Sequence, residues 1–239
     1  MAIIDSGVAK TAELQPLLTA QYDMASLPAR AAFKPRYDHG TMVATILARA
    51  AARDVEIISL RIDDPAGCPT GANPPCQPNV APVAAAIRRA VSLEVDAINI
   101  SLALDDDPRI AAAAGEAGAR GIDVILAAGN RGLDHPDNLT AARAAYPRAV
   151  LVGALDAAGL PWIGTDRPDP APHRYLYTWQ LGVKVPTVAA DGRAVAGTGT
   201  SIAVPIETAR LLQRERLALE ATHAHGWADT PQIRGATGS

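Results

Sequence analysis

The fold class follows from Ala97-Ile98-Asn99-Ile100-Ser101-Leu102 and, beyond an alanine-rich segment, from Ile122-Asp123-Val124-Ile125-Leu126-Ala127-Ala128. Both quoted runs are short and almost continuously apolar, which is typical of strands that are buried on both faces. The segment between them, Ile110 to Arg120, is rich in alanine and ends at Gly121, as a helix does. A strand, a helix and a second strand in this order predict a parallel pair with a covering helix.

The same alternation extends in both directions along the chain. It predicts one α/β domain with three layers, in which a mostly parallel, twisted sheet has helices on both faces. Further strands are expected at 2–4, 55–60 and 149–154, and further helices at 42–51, 80–95 and 201–222. The segment 162–179, rich in proline, aspartate and aromatic residues, is expected to be a surface loop. Residues 183–188 are interrupted by Pro186 and form at most an edge strand.

Composition and charge exclude several classes of function. The 239 residues carry a net charge of −3 and show no cluster of basic and aromatic residues, so we expect no nucleic-acid partner. No run reaches the roughly 18 apolar residues of a membrane span, so no membrane partner is expected. No leader sequence is visible, which predicts a cytoplasmic location unless residues upstream of this sequence are missing.

The residue types that commonly hold metals do not occur in a ligating pattern, so no metal ion and no cofactor are expected. The scattered histidines are expected at the surface, and Asp105 to Asp107 are expected in a solvated loop; these histidines are His135, His173, His223 and His225. Cys68 and Cys76 lie in one loop rich in proline and glycine. They either close a small ring or remain free thiols.

Several polar residues fall where the predicted strands end or where helices begin. Asp5, Ser101 and Asn130 follow strands, and parallel strands present their carboxyl ends at one rim of the sheet. His39 and Ser201 begin predicted helices, and Ser201 follows the glycines of Gly197-Thr198-Gly199. At a helix start a serine is either a cap or a nucleophile close to unpaired backbone N–H groups. Asp5 is either a functional residue or an ordinary turn residue. His39 is either a functional residue or a helix cap.

Taken together, five short motifs in this order resemble the subtilases, the subtilisin-like serine proteases. The resemblance covers residues 2–212, and the motifs are Ile3-Ile4-Asp5-Ser6-Gly7, His39-Gly40-Thr41-Met42-Val43-Ala44, Ile98-Asn99-Ile100-Ser101-Leu102, Ala127-Ala128-Gly129-Asn130 and Gly199-Thr200-Ser201-Ile202-Ala203-Val204-Pro205. The resemblance implies a subtilisin-like catalytic domain at 1–222 and a partly flexible tail at 223–239.

The resemblance also implies a role for each motif residue in a serine endopeptidase. Ser201 would attack the peptide carbonyl, His39 would take its proton, and Asp5 would orient the imidazole. Asn130 would donate a hydrogen bond to the oxyanion. Peptide or protein substrates would pair with an edge formed by Ser101, Leu102 and Ala103.

Departures from the family pattern narrow the expected function, and two alternatives to a protease remain open. Ala103 and Leu104 stand where many subtilases have two glycines, and Ile206 replaces a common histidine. The helix that usually precedes the aspartate strand, the calcium loop and a propeptide are not seen. We therefore expect a selective processing protease. The alternatives are an inactive module of this fold that binds peptides, and a nucleotide-binding domain, for which Gly197-x-Gly199 lacks the third glycine.

Overall fold

The computed structural model describes residues 1–30, 34–70, 72, 75–170 and 174–226, with side chains described as far as residue 221. Within these residues seven strands form one parallel sheet, in the order β2-β3-β1-β4-β5-β6-β7. The strands are β1 (Ala2–Asp5), β2 (Leu18–Asp23), β3 (Ile57–Arg61), β4 (Ala97–Ile100), β5 (Asp123–Ala127), β6 (Ala149–Leu155) and β7 (Leu176–Leu181).

Helices cover both faces of this sheet, which confirms the predicted three-layer α/β architecture. They are α1 (His39–Ala50), α2 (Val80–Ser92), α3 (Pro108–Ala119), α4 (Leu139–Ala144) and α5 (Thr200–Gly226). One hydrophobic core lies between the sheet and helices α2, α3 and α4, and the other lies between the sheet and helices α1 and α5. Because side chains alternate along a strand, Ile4 enters the first core and Ile3 the second.

The central strands and the first turns of α5 are the most buried parts of the fold. Strand β1 lies between β3 and β4, and its four residues are all buried. Helix α5 packs on α1 and on strands β4 to β7, with Ala203 and Val204 fully buried in its first turns. The small side chains let α5 approach the sheet closely, so the start of α5 is held firmly beside the ends of these strands.

The structure adds elements that the sequence interpretation missed. The prediction of a surface loop at 162–179 was wrong at its end, because β7 begins at Leu176 and pairs with β6 along its whole length. Strand β2 and the short helix α4 were also missed. Residues 185–188 form β8 (Val185–Val188), but its partner is β9 (Ala194–Gly197) in a separate antiparallel hairpin.

Helix α5 begins at Thr200, one residue before the predicted start, and continues to Gly226. The first residues of the predicted tail, 223–226, are therefore helical, and the remainder, 227–239, lies outside the described residues. No helix in the described part of the chain has both the length and the apolar character needed to cross a membrane.

Candidate active site

The carboxyl ends of three adjacent strands and the starts of two helices meet at one rim of the sheet. Asp5 ends β1, Ser101 follows β4, and Asn130 lies just beyond β5. His39, Ser101, Asn130 and Ser201 all line one cleft with a volume of about 610 Å³. Asp5 lies behind His39 and is 1% exposed. The structure thus brings together the residues that the sequence placed at a common rim.

Asp5 and His39 form a hydrogen-bonded pair. The Nδ1 atom of His39 lies 2.9 Å from each carboxylate oxygen of Asp5. The backbone N–H of Ser6 donates to Asp5 Oδ1 at 2.7 Å, which fixes the carboxylate in place. Gly40 lets helix α1 approach this strand, because a β-carbon there would collide with the carbonyl oxygen of Gly7. The imidazole is therefore held with Nδ1 against Asp5, and Nε2 is the nitrogen that can accept a proton.

Two opposing influences act on the pKa of His39. Burial disfavours the charged imidazolium and lowers the pKa. The negative charge of Asp5 and its hydrogen bond favour the imidazolium and raise the pKa, and the balance lies above the ordinary value of histidine. A histidine with this partner is a stronger base than a free one, which suits it to accept a proton from a hydroxyl group.

Thr200 fixes the orientation of Asn130. Its backbone N–H and its hydroxyl both donate to Asn130 Oδ1, at 2.8 and 2.9 Å. The Thr200 hydroxyl in turn accepts a hydrogen bond from the N–H of Gly129 at 3.2 Å. With the amide oxygen held in this way, Nδ2 is the atom of the Asn130 side chain that can donate. This role of Thr200 was not predicted from the sequence, because its partner Asn130 lies about seventy residues away.

Gly199 creates the space in which Asn130 and Ser201 face each other. Its φ is 147°, a conformation that side chains rarely adopt. A β-carbon at this position would lie 3.3 Å from Asn130 Nδ2 and 3.4 Å from Ser201 Oγ. The amide donor and the hydroxyl therefore border the same small volume, close to the N-terminal backbone donors of α5. An oxygen atom placed in this volume would lie close to the Asn130 amide group.

The predicted substrate edge is organised by a residue that the sequence analysis overlooked. Asn138 adopts a left-handed conformation, with φ of 63°. Its side chain donates to the carbonyl oxygen of Leu102 and accepts from the N–H of Leu104, at 2.9 and 2.8 Å. These two hydrogen bonds fix the backbone on either side of Ala103. Ala103 is exposed in the cleft.

The structure also gives positions for the cysteines, Ile206 and one of the remaining histidines. Cys68 and Cys76 are joined by a disulfide, which decides between the two alternatives. Ile206 packs in a small cluster with Ile46, Val185 and Ile202. His135 is exposed, whereas His173 and the side chains of His223 and His225 lie outside the described residues. Within the described part of the chain, no group of three or more histidine, cysteine, aspartate or glutamate residues could hold a metal ion.

The acidic loop after the substrate edge divides into two parts. Asp107 caps helix α3, with its carboxylate accepting from the N–H of Arg109 at 2.8 Å. Asp105 and Asp106 are exposed and line the cleft. The far wall of the cleft includes Pro75 and Gln77, from the loop that contains the disulfide. Acidic side chains therefore border the cleft beyond the Asp5–His39 pair.

A parallel α/β sandwich with an Asp–His pair, a serine and an asparagine around one cleft is typical of one class of serine proteases. A profile of the subtilase family matches residues 1–222, and the chain therefore belongs to the subtilase family. No curated protein sequence matches the chain.

Several solved structures share this fold. The prenylagaramide maturation protease PagA is 20% identical with a TM-score of 0.69, over 90% of this chain and 76% of that one. The patellamide maturation protease PatA is 22% identical with a TM-score of 0.66, over 87% and 74%. A cold-adapted subtilisin-like serine proteinase is 20% identical with a TM-score of 0.70, over 89% and 74%. At these identities the similarity shows a common fold.

Proposed function

We propose that residues 1–222 form a serine endopeptidase domain in which Asp5, His39 and Ser201 act together. The observation that carries this proposal is the hydrogen-bonded Asp5–His39 pair in the cleft that also contains Ser201 and Asn130. A serine hydroxyl is a weak nucleophile until a base removes its proton. His39 is the base with the environment to do so, since Asp5 stabilises the imidazolium that forms.

The proposed reaction proceeds by acylation and hydrolysis. Ser201 Oγ bonds to the peptide carbonyl carbon while its proton passes to His39. Asn130 Nδ2 and the backbone N–H of Ser201 donate to the oxyanion. The C–N bond then breaks, the amine leaves with the proton from His39, and Ser201 carries the acyl group. Water, deprotonated by His39, attacks this ester, and the acid product and free Ser201 are released.

The substrate in this proposal is an extended peptide. The backbone N–H and C=O of Ala103 would pair with the peptide backbone, and Ser101 and Leu102 would continue the same edge. The exposed methyl group of Ala103 occupies space that a glycine would leave open, which favours selective processing over general digestion. PagA and PatA, which share the fold, are maturation proteases.

Labelling of the folded chain with a fluorophosphonate probe tests this function. We expect covalent labelling of Ser201, no labelling of Ser201→Ala, and slow labelling of His39→Ala. The wild-type chain should also cleave members of a mixed peptide library, whereas Ser201→Ala should cleave none. A folded chain that binds library peptides but neither cleaves them nor reacts with the probe would instead be the inactive peptide-binding module.

A further inference from the structure

The cleft carries more negative than positive side chains beyond the catalytic pair. Asp105, Asp106 and Asp137 line it, and Arg131 is the permanent cation among the lining residues that the structure describes. Asp105 and Asp106 are exposed and lie in the loop that follows the substrate edge. A peptide entering the cleft therefore meets a surface with an excess of carboxylates.

Arg131 is shared between two carboxylates, those of Asp137 and Asp166. Its guanidinium pairs with Asp137 Oδ1, and its Nε lies 3.8 Å from Asp166 Oδ2. Asp166 is fully buried, and its Oδ1 accepts from the N–H groups of Arg131 and Leu133, at 2.9 and 2.8 Å. Its Oδ2 has no hydrogen-bond partner within the part of the chain that the structure describes.

The two carboxylates converge beneath Gly129. A β-carbon on Gly129 would collide with Asp166 Oδ2 and would lie 2.8 Å from Asp137 Oδ2. Burial raises the pKa of Asp137, the positive charge of Arg131 opposes this, and the charge of Asp166 adds to the rise. The Arg131 side chain is 61% exposed and the Asp137 side chain 20% exposed, so the guanidinium lies toward solvent. A second cation approaching from the cleft would relieve the repulsion between the carboxylates.

Asp137 is placed at the subsite next to the oxyanion donors. Its backbone N–H donates to the carbonyl oxygen of Ala128 at 2.6 Å. The following residue, Asn138, donates to the carbonyl oxygens of Leu102 and Ala127, at 2.9 and 2.8 Å. Asp137 thus lies where the substrate edge and the segment leading to Asn130 are tied together. Asp137 and Asn130 line the same cleft, so a peptide whose scissile carbonyl is at Asn130 would have Asp137 within reach of a long side chain.

We propose that this subsite selects peptides with arginine or lysine as the residue that contributes the scissile carbonyl, with Asp137 as the counter-ion. The inference rests on the proposed peptidase activity and specifies its substrate class. The guanidinium or ammonium group binds the Asp137 carboxylate from the cleft, while Arg131 keeps its contact with Asp166. Asp105 and Asp106 extend the acidic surface and favour further basic residues in the same peptide.

Matched peptides that differ only at this residue provide the test. We expect kcat/KM to be about 10- to 100-fold higher for arginine or lysine than for leucine, the range of a hydrogen bond to a charged group. Asp137→Asn should reduce this ratio to near one, mainly by slowing the basic substrates. Asp137→Glu should retain part of the preference. Asp134→Asn, an exposed change in the same segment that does not line the cleft, should keep the full ratio.

Two further measurements distinguish a failure of this inference from a failure of the proposed peptidase function. Fluorophosphonate labelling of Asp137→Asn reports whether this variant is folded and has a reactive Ser201. Benzamidine, an amidinium probe, should slow labelling of the wild type more than of Asp137→Asn. A preference for apolar or acidic residues, or a ratio unchanged in a labelled Asp137→Asn variant, overturns the inference and leaves the peptidase function intact. Absence of both labelling and cleavage overturns the function itself.

Discussion

The charge state of His39 sets the pH range in which Ser201 can react. The imidazole must be neutral to accept a proton, and Asp5 holds its pKa above the ordinary histidine value of about 6.5. We therefore expect kcat/KM to rise with pH through an apparent pKa above that value. Replacing Asp5 by asparagine removes the charge and leaves burial, which lowers the pKa. The rise should shift to lower pH, and kcat should fall on the order of 10⁴-fold.

A pH profile of kcat/KM for one peptide measures this effect in the wild type and in Asp5→Asn. Asp54→Asn serves as a control, because Asp54 is exposed and lies outside the cleft. If Asp5→Asn left both the midpoint and the rate unchanged, the Asp5–His39 contact would have no part in catalysis.

The site residues that could be predicted from the sequence are those whose chemistry is recognisable from their own short motifs. Asp5, His39, Asn130 and Ser201 each stand in a distinctive local motif. The residues that support them were missed because their roles depend on distant partners. Thr200 acts by binding Asn130, and Asp166, Asp137 and Arg131 meet only when the segments after β5 and β6 fold together.

The disulfide between Cys68 and Cys76 closes a loop beside the cleft. These are the only cysteines in the chain, and Pro75 and Gln77 of the same loop line the cleft. A double variant, Cys68→Ser with Cys76→Ser, should lower the free energy of unfolding by about 2–3 kcal/mol, since the ring is short. It should also raise KM for peptides, because one wall of the cleft becomes less ordered.

Thermal unfolding and peptide kinetics test this loop, and a reductant gives an independent control. Dithiothreitol should make the wild type resemble the double variant and should not affect the variant itself. Labelling of Ser201 by a small fluorophosphonate should stay at the wild-type rate. An unchanged KM in the double variant would mean that the loop does not contact bound peptide.

The elements that the sequence did and did not predict differ in burial. Strands β1, β4 and β5 are buried on both faces, so their sequences are almost continuously apolar and easily recognised. Strands β2 and β7 lie at the two edges of the sheet and are mostly half-buried, so polar residues interrupt them. The hairpin of β8 and β9 was not predicted as a pair, because Pro186 obscured the first strand and the second is short.

The whole molecule has two cores that share the central strand β1. Ile3 and Ile4 are both fully buried, one in each core. Because each residue supports a different face of the same strand, loss of either core should release β1 and the other core with it. We expect Ile3→Ala and Ile4→Ala each to lower the free energy of unfolding by about 2–5 kcal/mol in a single cooperative transition.

Urea unfolding followed by circular dichroism and by tryptophan fluorescence checks this cooperativity. The two signals should coincide for the wild type and for both variants. Ile163→Ala, which alters a side chain that is 84% exposed, should leave the midpoint close to that of the wild type. Separate transitions for the two probes in either variant would show that the cores unfold independently.

The order of the site residues along the chain also affects when activity can arise during synthesis. Asp5 and His39 are translated early, but strand β1 finds its neighbours only after β3 and β4 have been made. Ser201 follows nearly the whole sheet. A nascent polypeptide on the ribosome therefore holds the base without the nucleophile until α5 emerges. Translation itself delays the proposed hydrolysis until the strands that carry the rest of the site are present.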